Sequence, residues 1–135
     1  MSTQIQAPVS PSLSPKGRPC RVLLVEDHED TRDLLARLLS TAFEVRTAGC
    51  YESALDSAAE TVPHVVVTDV GLPGRDGVAL MRELSHRYNV PGIAVTGHTP
   101  QDLGHFRDAG FVATLTKPIS LDQLLLVLGE ACAPR

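Results

Sequence analysis

The sequence predicts an α/β protein with a doubly wound, five-stranded parallel sheet in the order 2-1-3-4-5. Three observations lead there. From Arg21 onward, short apolar runs alternate with amphipathic stretches, five of each, as strands alternate with helices. Four of the five runs are nearly continuous in apolar residues, which suits parallel strands covered on both faces. Acids close two of those runs, Glu26 and Asp27 after the first and Asp69 after the third, where open α/β sheets carry their ligands.

The expected strands are Val22 to Glu26, Glu44 to Ala48, Val65 to Asp69, Gly92 to Thr96 and Val112 to Thr116. Only the second alternates, Glu44-Val45-Arg46-Thr47, and it is therefore placed at an edge. The first helix, about Asp30 to Ser40, stacks Leu34, Leu35, Leu38 and Leu39 toward the core; the second, about Tyr51 to Glu60, uses Ala54, Leu55, Ala58 and Ala59. The third, about Gly77 to Tyr88, turns Val78, Met81 and Leu84 inward. A fourth, between Gln101 and Ala109, has only Leu103, Phe106 and Ala109 as apolar residues and Gly104 inside, so it is expected to be short and mobile. The fifth opens on a capping box, Ser120 to Gln123, and buries Leu121, Leu124, Leu125 and Leu128. Right-handed crossovers through these helices give a doubly wound sheet, for which the flavodoxin-like order 2-1-3-4-5 is the expected small version.

Composition narrows the function. A chain of 135 residues suits one domain with a core. Residues 1–19, with Pro8, Pro11, Pro15 and Pro19 among Ser, Thr and Gln, read as a flexible tail, and residues 20–135 as the domain. Hydrophobic residues at 43% and charged residues at 21%, without an apolar stretch of about 18 residues, suit a soluble protein and no membrane span. A net charge of −4 without a Lys/Arg stripe speaks against direct nucleic-acid binding. Cys20, Cys50 and Cys132 lack paired spacing and are expected to be reduced thiols of a cytoplasmic protein. None of the five histidines pairs at helical ligand spacing, which leaves no transition-metal motif; His28 and His98 fall on loops near the acids.

In the order 2-1-3-4-5 the first and third strands are neighbours, so Glu26, Asp27 and Asp69 meet at one end of the sheet, a cluster that calls for a cation. Thr96 ends the fourth run and Lys117, before Pro118, ends the fifth. With strands about 4.8 Å apart, Lys117 starts roughly 10 Å from Asp69, a gap that its four-carbon stem and the sheet twist can close.

The pattern Glu26-Asp27, Asp69, Thr96 and Lys117-Pro118 on five β/α units, with the turn from Asp69 to Gly77, resembles the receiver domain of bacterial response regulators, in the style of receivers that work with hybrid sensor kinases. The resemblance spans Arg21 to about Cys132. It implies a phosphoprotein of two-component signalling or a phosphorelay in which Asp69 takes a phosphoryl group from a phosphohistidine. Mg²⁺ would be held by Glu26, Asp27, Asp69 and the Gly71 carbonyl, with Asp27 a direct ligand and Glu26 acting through water. Lys117 and Thr96 would contact the phosphoryl group once it is attached, and the Lys117-Pro118 bond would be cis. Implied partners are a histidine kinase or histidine phosphotransfer protein upstream and a protein target downstream. The chain would be a monomer or a weak phosphorylation-dependent dimer through the fourth helix, fifth strand and fifth helix. The family often has an aromatic residue three positions before the lysine, where this chain has Thr114; Phe106 and Phe111 are near but out of register.

Two other classes are weighed. Haloacid-dehalogenase-like phosphatases also use an aspartate nucleophile, but carry a general-acid aspartate two residues on, where this chain has Gly71. The expected chemistry is thus self-phosphorylation and slow self-dephosphorylation, not enzymatic turnover. A flavodoxin-like cofactor site would set its phosphate against Glu26 and Asp27 without a Gly/Ser/Thr-rich loop.

Overall fold

The protein was analysed as a computed structural model, which describes residues 19–72, 76–97 and 103–132. The proposed tail up to residue 18, the turn residues 73–75, His98 and the start of the expected fourth helix at Gln101 lie outside the described residues.

Ten elements alternate: β1 (Arg21–Val25), α1 (Glu29–Leu39), β2 (Glu44–Ala48), α2 (Tyr51–Glu60), β3 (Val65–Asp69), α3 (Gly77–Tyr88), β4 (Gly92–Thr96), α4 (Leu103–Ala109), β5 (Phe111–Thr116) and α5 (Leu121–Cys132). The sheet is parallel throughout, in the order β2-β1-β3-β4-β5. The register sets Val25 beside Thr68 and Asp69 beside Val95, so β1 and β3 end within a residue of each other. That alignment is what lets acids in different parts of the sequence share one rim.

Alternate residues of each strand feed opposite cores, as the pleat requires. Leu23, Val25 and Val66 face one layer with Ala54 and Ala58 of α2 and Leu80, Met81 and Leu84 of α3. Val22, Leu24, Val65 and Val67 face the other, with Leu39 of α1 and Leu124 and Leu128 of α5. The third strand is buried at every residue, while β2 at the sheet edge is mostly exposed.

Several helix faces differ from the expectation. On α1, Leu39 is buried and Leu35 packs beside it, but Leu34 and Leu38 remain 58% and 39% exposed. Neighbouring helical residues point about 100° apart, so the four leucines form two rows and only one can face the sheet. On α2 the inward row is Tyr51, Ala54 and Ala58, with Leu55 packed alongside and Ala59 exposed. The fifth strand is the other edge, and between Gly92 and Ile93 the register slips so that Phe111 and Ala113 are their partners. The extra residue, Val112, is left 60% exposed, as a bulge leaves it.

The expectation of three reduced thiols is corrected at two of them. Cys20 and Cys132 form a disulfide across 112 residues, their Cα atoms 6.1 Å apart. Spacing along the chain could not show this, because the fold brings the start of β1 to the end of α5. Cys50, half-buried, is a free thiol.

Candidate functional site

Asp69 is the last residue of β3 and is 7% exposed. Its Oδ1 accepts the Gly71 N–H at 3.0 Å, closing the turn that follows the strand. Its Oδ2 accepts from Lys117 Nζ at 2.7 Å. Two backbone bonds hold the surrounding loop: Val70 N–H donates to Val95 O at 2.9 Å, and Gly77 N–H donates to Val70 O at 2.7 Å. A Cβ on residue 77 would lie inside van der Waals contact of the Asp69 carbonyl oxygen, so the first residue of α3 is held to glycine by close approach. Gly77 is thus part of the site's frame, a role the sequence signalled only as a glycine opening a helix.

Lys117 reaches the cluster from the residue after β5. Its N–H donates to Thr96 O at 2.8 Å, which fastens the lysine to the end of β4, and the Lys117-Pro118 bond is cis. The ammonium bridges two acids, 2.7 Å from Asp69 Oδ2 and 3.9 Å from Glu26 Oε1. The hydrogen bond to Asp69 holds the Lys117 pKa above its ordinary value, with the charges of Asp69, Glu26 and Asp27 adding and desolvation opposing. The lysine is therefore held in its charged form against the Asp69 carboxylate.

Glu26 is buried just past β1. Its N–H donates to Ala48 O at 3.0 Å, and its own carbonyl accepts from Arg32 Nη1 at 3.0 Å, so both its backbone polar groups are paired. Arg32 has no place in the sequence reading; its role follows from α1 passing over the strand end. His28 packs on the acid pair, its N–H donating to Glu26 Oε2 at 3.1 Å and its Nδ1 lying 3.2 Å from that oxygen and 3.5 Å from Asp27 Oδ1. The latter contact is an ion-pair distance without hydrogen-bond geometry, and Asp27 Oδ1 is a buried oxygen with no hydrogen-bond partner. Glu26, Asp27 and His28 offer ligand atoms that lie within 4.8 Å of one another. Asp69 is not in that group, and its Oδ2 is engaged by Lys117.

All the singled-out positions thus meet at one end of the sheet: Glu26 and Asp27 after β1, Asp69 and Gly71 at and after β3, Thr96 at the end of β4 and Lys117 after β5. Thr114 sits half-buried on β5, and beside it a groove of about 340 Å³ is lined by Leu103, Phe106, Phe111, Val112 and Thr116. The Phe106 and Phe111 rings pack against each other with centroids 5.5 Å apart. The Lys117 ammonium can stabilise an added anionic group on Asp69, and the unpartnered Asp27 oxygen beside it can accept a cation that offsets the remaining negative charge.

Comparison with known proteins agrees with this geometry. The family model described as the response regulator receiver domain matches residues 22–128. The transcriptional regulatory protein PdtaR of Mycobacterium tuberculosis is 36% identical over 110 residues, covering 79% of this chain and 54% of the relative. The chain thus spans about half the length of that relative. Among solved structures, the signal receiver domain of an HD domain-containing protein from Pseudomonas fluorescens superposes with a TM-score of 0.78 at 27% identity, covering 84% of this chain and 94% of the other. The chemotaxis protein CheY4 of Vibrio cholerae superposes with a TM-score of 0.77 at 26% identity, covering 83% and 98%.

Proposed function

The chain belongs to the response regulator receiver domain family, and from that premise we propose that Asp69 is its phosphoacceptor in two-component signalling or a phosphorelay. The observation that carries the reading is the buried Asp69 carboxylate held at 2.7 Å by Lys117, with Glu26 and Asp27 on the same rim.

In the proposed reaction an Asp69 oxygen attacks the phosphorus of a phosphohistidine on a histidine kinase or phosphotransfer protein. The O–P bond forms, the P–N bond breaks, and the imidazole nitrogen leaves with the bonding pair and takes a proton. Two unit charges at 4 Å repel by about 4 kcal/mol at an effective dielectric of 20, so the anionic partners need a counter-charge to approach. Lys117 supplies one on this chain and passes from the Asp69 carboxylate to a phosphoryl oxygen, and the Thr96 hydroxyl donates to another. The oxygen donors present fit Mg²⁺, since Asp27 Oδ1 is buried and unpartnered and the Glu26 carboxylate is adjacent. Glu26, Asp27, Asp69 and the Gly71 carbonyl would hold it, and when bound it neutralises charge on the phosphoryl oxygens.

A contact that exists only after phosphorylation shifts a conformational equilibrium, and the Lys117 transfer is such a contact. The surface of α4, β5 and α5, with Leu103, Val112 and Leu126 exposed, would then be read by a downstream protein or by a second copy in a weak dimer. Gly71 stands where a turnover phosphatase carries its general acid, so the aspartyl phosphate is lost only by slow self-dephosphorylation. The role implies the cytoplasm, and no helix among the described residues is long and apolar enough to cross a membrane.

Acetyl phosphate with Mg²⁺ tests the reading. One hydroxylamine-labile phosphoryl group per chain is expected, and none in Asp69→Asn. Label retained in that variant would overturn it.

A further inference from the structure

We propose that Cys20 and Cys132 are a thiol–disulfide exchange site for glutathione-class thiols, a staple that fastens the last turn of α5 to the residue before β1. The inference rests on the cytoplasmic setting of the proposed function but not on its phosphoryl chemistry. The two Cα atoms, 6.1 Å apart, lie in the range a disulfide spans, so the fold itself brings the sulfurs together. The Cys20 backbone is anchored independently, its carbonyl accepting from Glu44 N–H at 3.0 Å. Its side chain packs in one apolar cluster with Leu39, Phe43, Leu124 and Leu128. Cys132 ends its helix, so the bond fastens that final turn in addition to the packing of Leu128 and Ala131 on the same cluster.

The setting makes this bond conditional. In a cytoplasm buffered by glutathione, a disulfide is transient or redox-sensing, whereas the same pair in an oxidising compartment would be permanent. Exchange begins at Cys132, which is 5% exposed against 0% for Cys20 and lies at a helix end, where fraying opens it to a thiol. A glutathione thiolate attacks Cys132 Sγ, the S–S bond breaks, and Cys20 leaves as a thiolate that takes a proton. A second glutathione thiolate attacks the mixed disulfide on its glutathione sulfur, giving oxidised glutathione and a Cys132 thiolate that is protonated in turn. Two glutathiones thereby supply the two electrons, and oxidised glutathione reverses the sequence. The staple spans 112 residues, so opening it restores entropy to nearly the whole unfolded domain. It lies at the amino end of the sheet, opposite Asp69, so it acts on stability and on α5 while leaving the carboxylate cluster intact.

The test is a glutathione redox titration of the full chain, read by thiol count in denaturant and by melting temperature. Oxidised protein is expected to show only the Cys50 thiol and reduced protein all three, with the melting temperature falling by about 10–20 °C on reduction. Three thiols after equilibration with oxidised glutathione, or one melting temperature in both states, would overturn the proposal. Using wild-type protein avoids dependence on a buried-cysteine variant that fails to fold. Acetyl phosphate labelling of both redox forms separates the two readings. Label absent from both with the thiol change intact removes the phosphoacceptor assignment alone, and equal labelling with three thiols throughout removes the staple alone.

Discussion

The two ends of the sheet are built on opposite terms. At the amino ends of the strands polar groups are paired: Arg21 N–H donates to His64 Nδ1 at 2.8 Å, His64 N–H to Arg21 O at 2.9 Å, Val66 N–H to Pro91 O at 3.0 Å and Gly92 N–H to Gly110 O at 3.1 Å. The Cys20–Cys132 bond closes the same end. At the carboxyl ends Glu26 and Asp69 share one ammonium, and the neighbouring Asp27 Oδ1 is buried without a hydrogen bond. One end is closed by paired backbone groups and a covalent bond, and the other carries an excess of negative charge over its one ammonium. Substitutions at the amino end should therefore cost stability, whereas at the carboxyl end the sign depends on whether the cation or an acid is removed.

The largest effect is expected beneath the amino end. Leu39→Ala removes a fully buried side chain that packs with Phe43 and Cys20, and should cost about 2–5 kcal/mol in urea unfolding. A loss below about 1 kcal/mol would show that this end is looser than its packing indicates. Next in size, Lys117→Ala leaves Asp69 and Glu26 buried without their shared cation, and should cost about 1–3 kcal/mol. Phosphorylation of Asp69 should remain partly possible in this variant while partner binding is blunted; a variant that signals normally would make the lysine dispensable.

A smaller effect of opposite sign is expected from Asp27→Asn. Without divalent ions it should raise stability by up to about 1 kcal/mol, because it relieves repulsion among the acids, and it should abolish most of the Mg²⁺-dependent rise in melting temperature. Glu26→Gln should weaken Mg²⁺ binding less. Equal or reversed weakening would overturn the ligand assignment. The smallest effect is in pH. Burial and the Arg21 charge hold the His64 pKa below its ordinary value of 6.5, partly opposed by Glu44, so the native state favours the neutral ring that accepts from Arg21 N–H. The unfolded chain then binds more protons, so this contribution is present above pH 6.5 and lost as pH falls toward the native pKa. Urea midpoints of His64→Gln against the parent across that window would measure it, and parallel curves would refute it.

Much of this contrast is readable along the chain, for local reasons. Glu44 to Ala48, Val65 to Asp69 and Gly92 to Thr96 are strands over the residues their apolar patterns indicate, because burial on both faces or alternation at an edge is written in consecutive residues. The site residues are legible for a related reason: each directly ends or follows a strand, and a parallel sheet aligns such ends. The leucines of α1 were less legible. Leu34 and Leu35 are equally apolar, and only the angle at which the helix meets the sheet selects the row of Leu35 and Leu39. The bulge that turns Val112 outward is equally silent, since it depends on the partner strand as well as on β5.

The sequence by itself determined the alternation of strands and helices, the doubly wound class of the sheet and the identity of the polar residues that end its strands, because periodicity and the handedness of crossovers act over short stretches of chain. Only the tertiary structure decided that Lys117 already grips Asp69, that Gly77 must be glycine beneath the Asp69 carbonyl, and that Cys20 meets Cys132. These contacts depend on distances of a few ångströms between segments far apart in sequence, and such distances are set by packing of the whole domain.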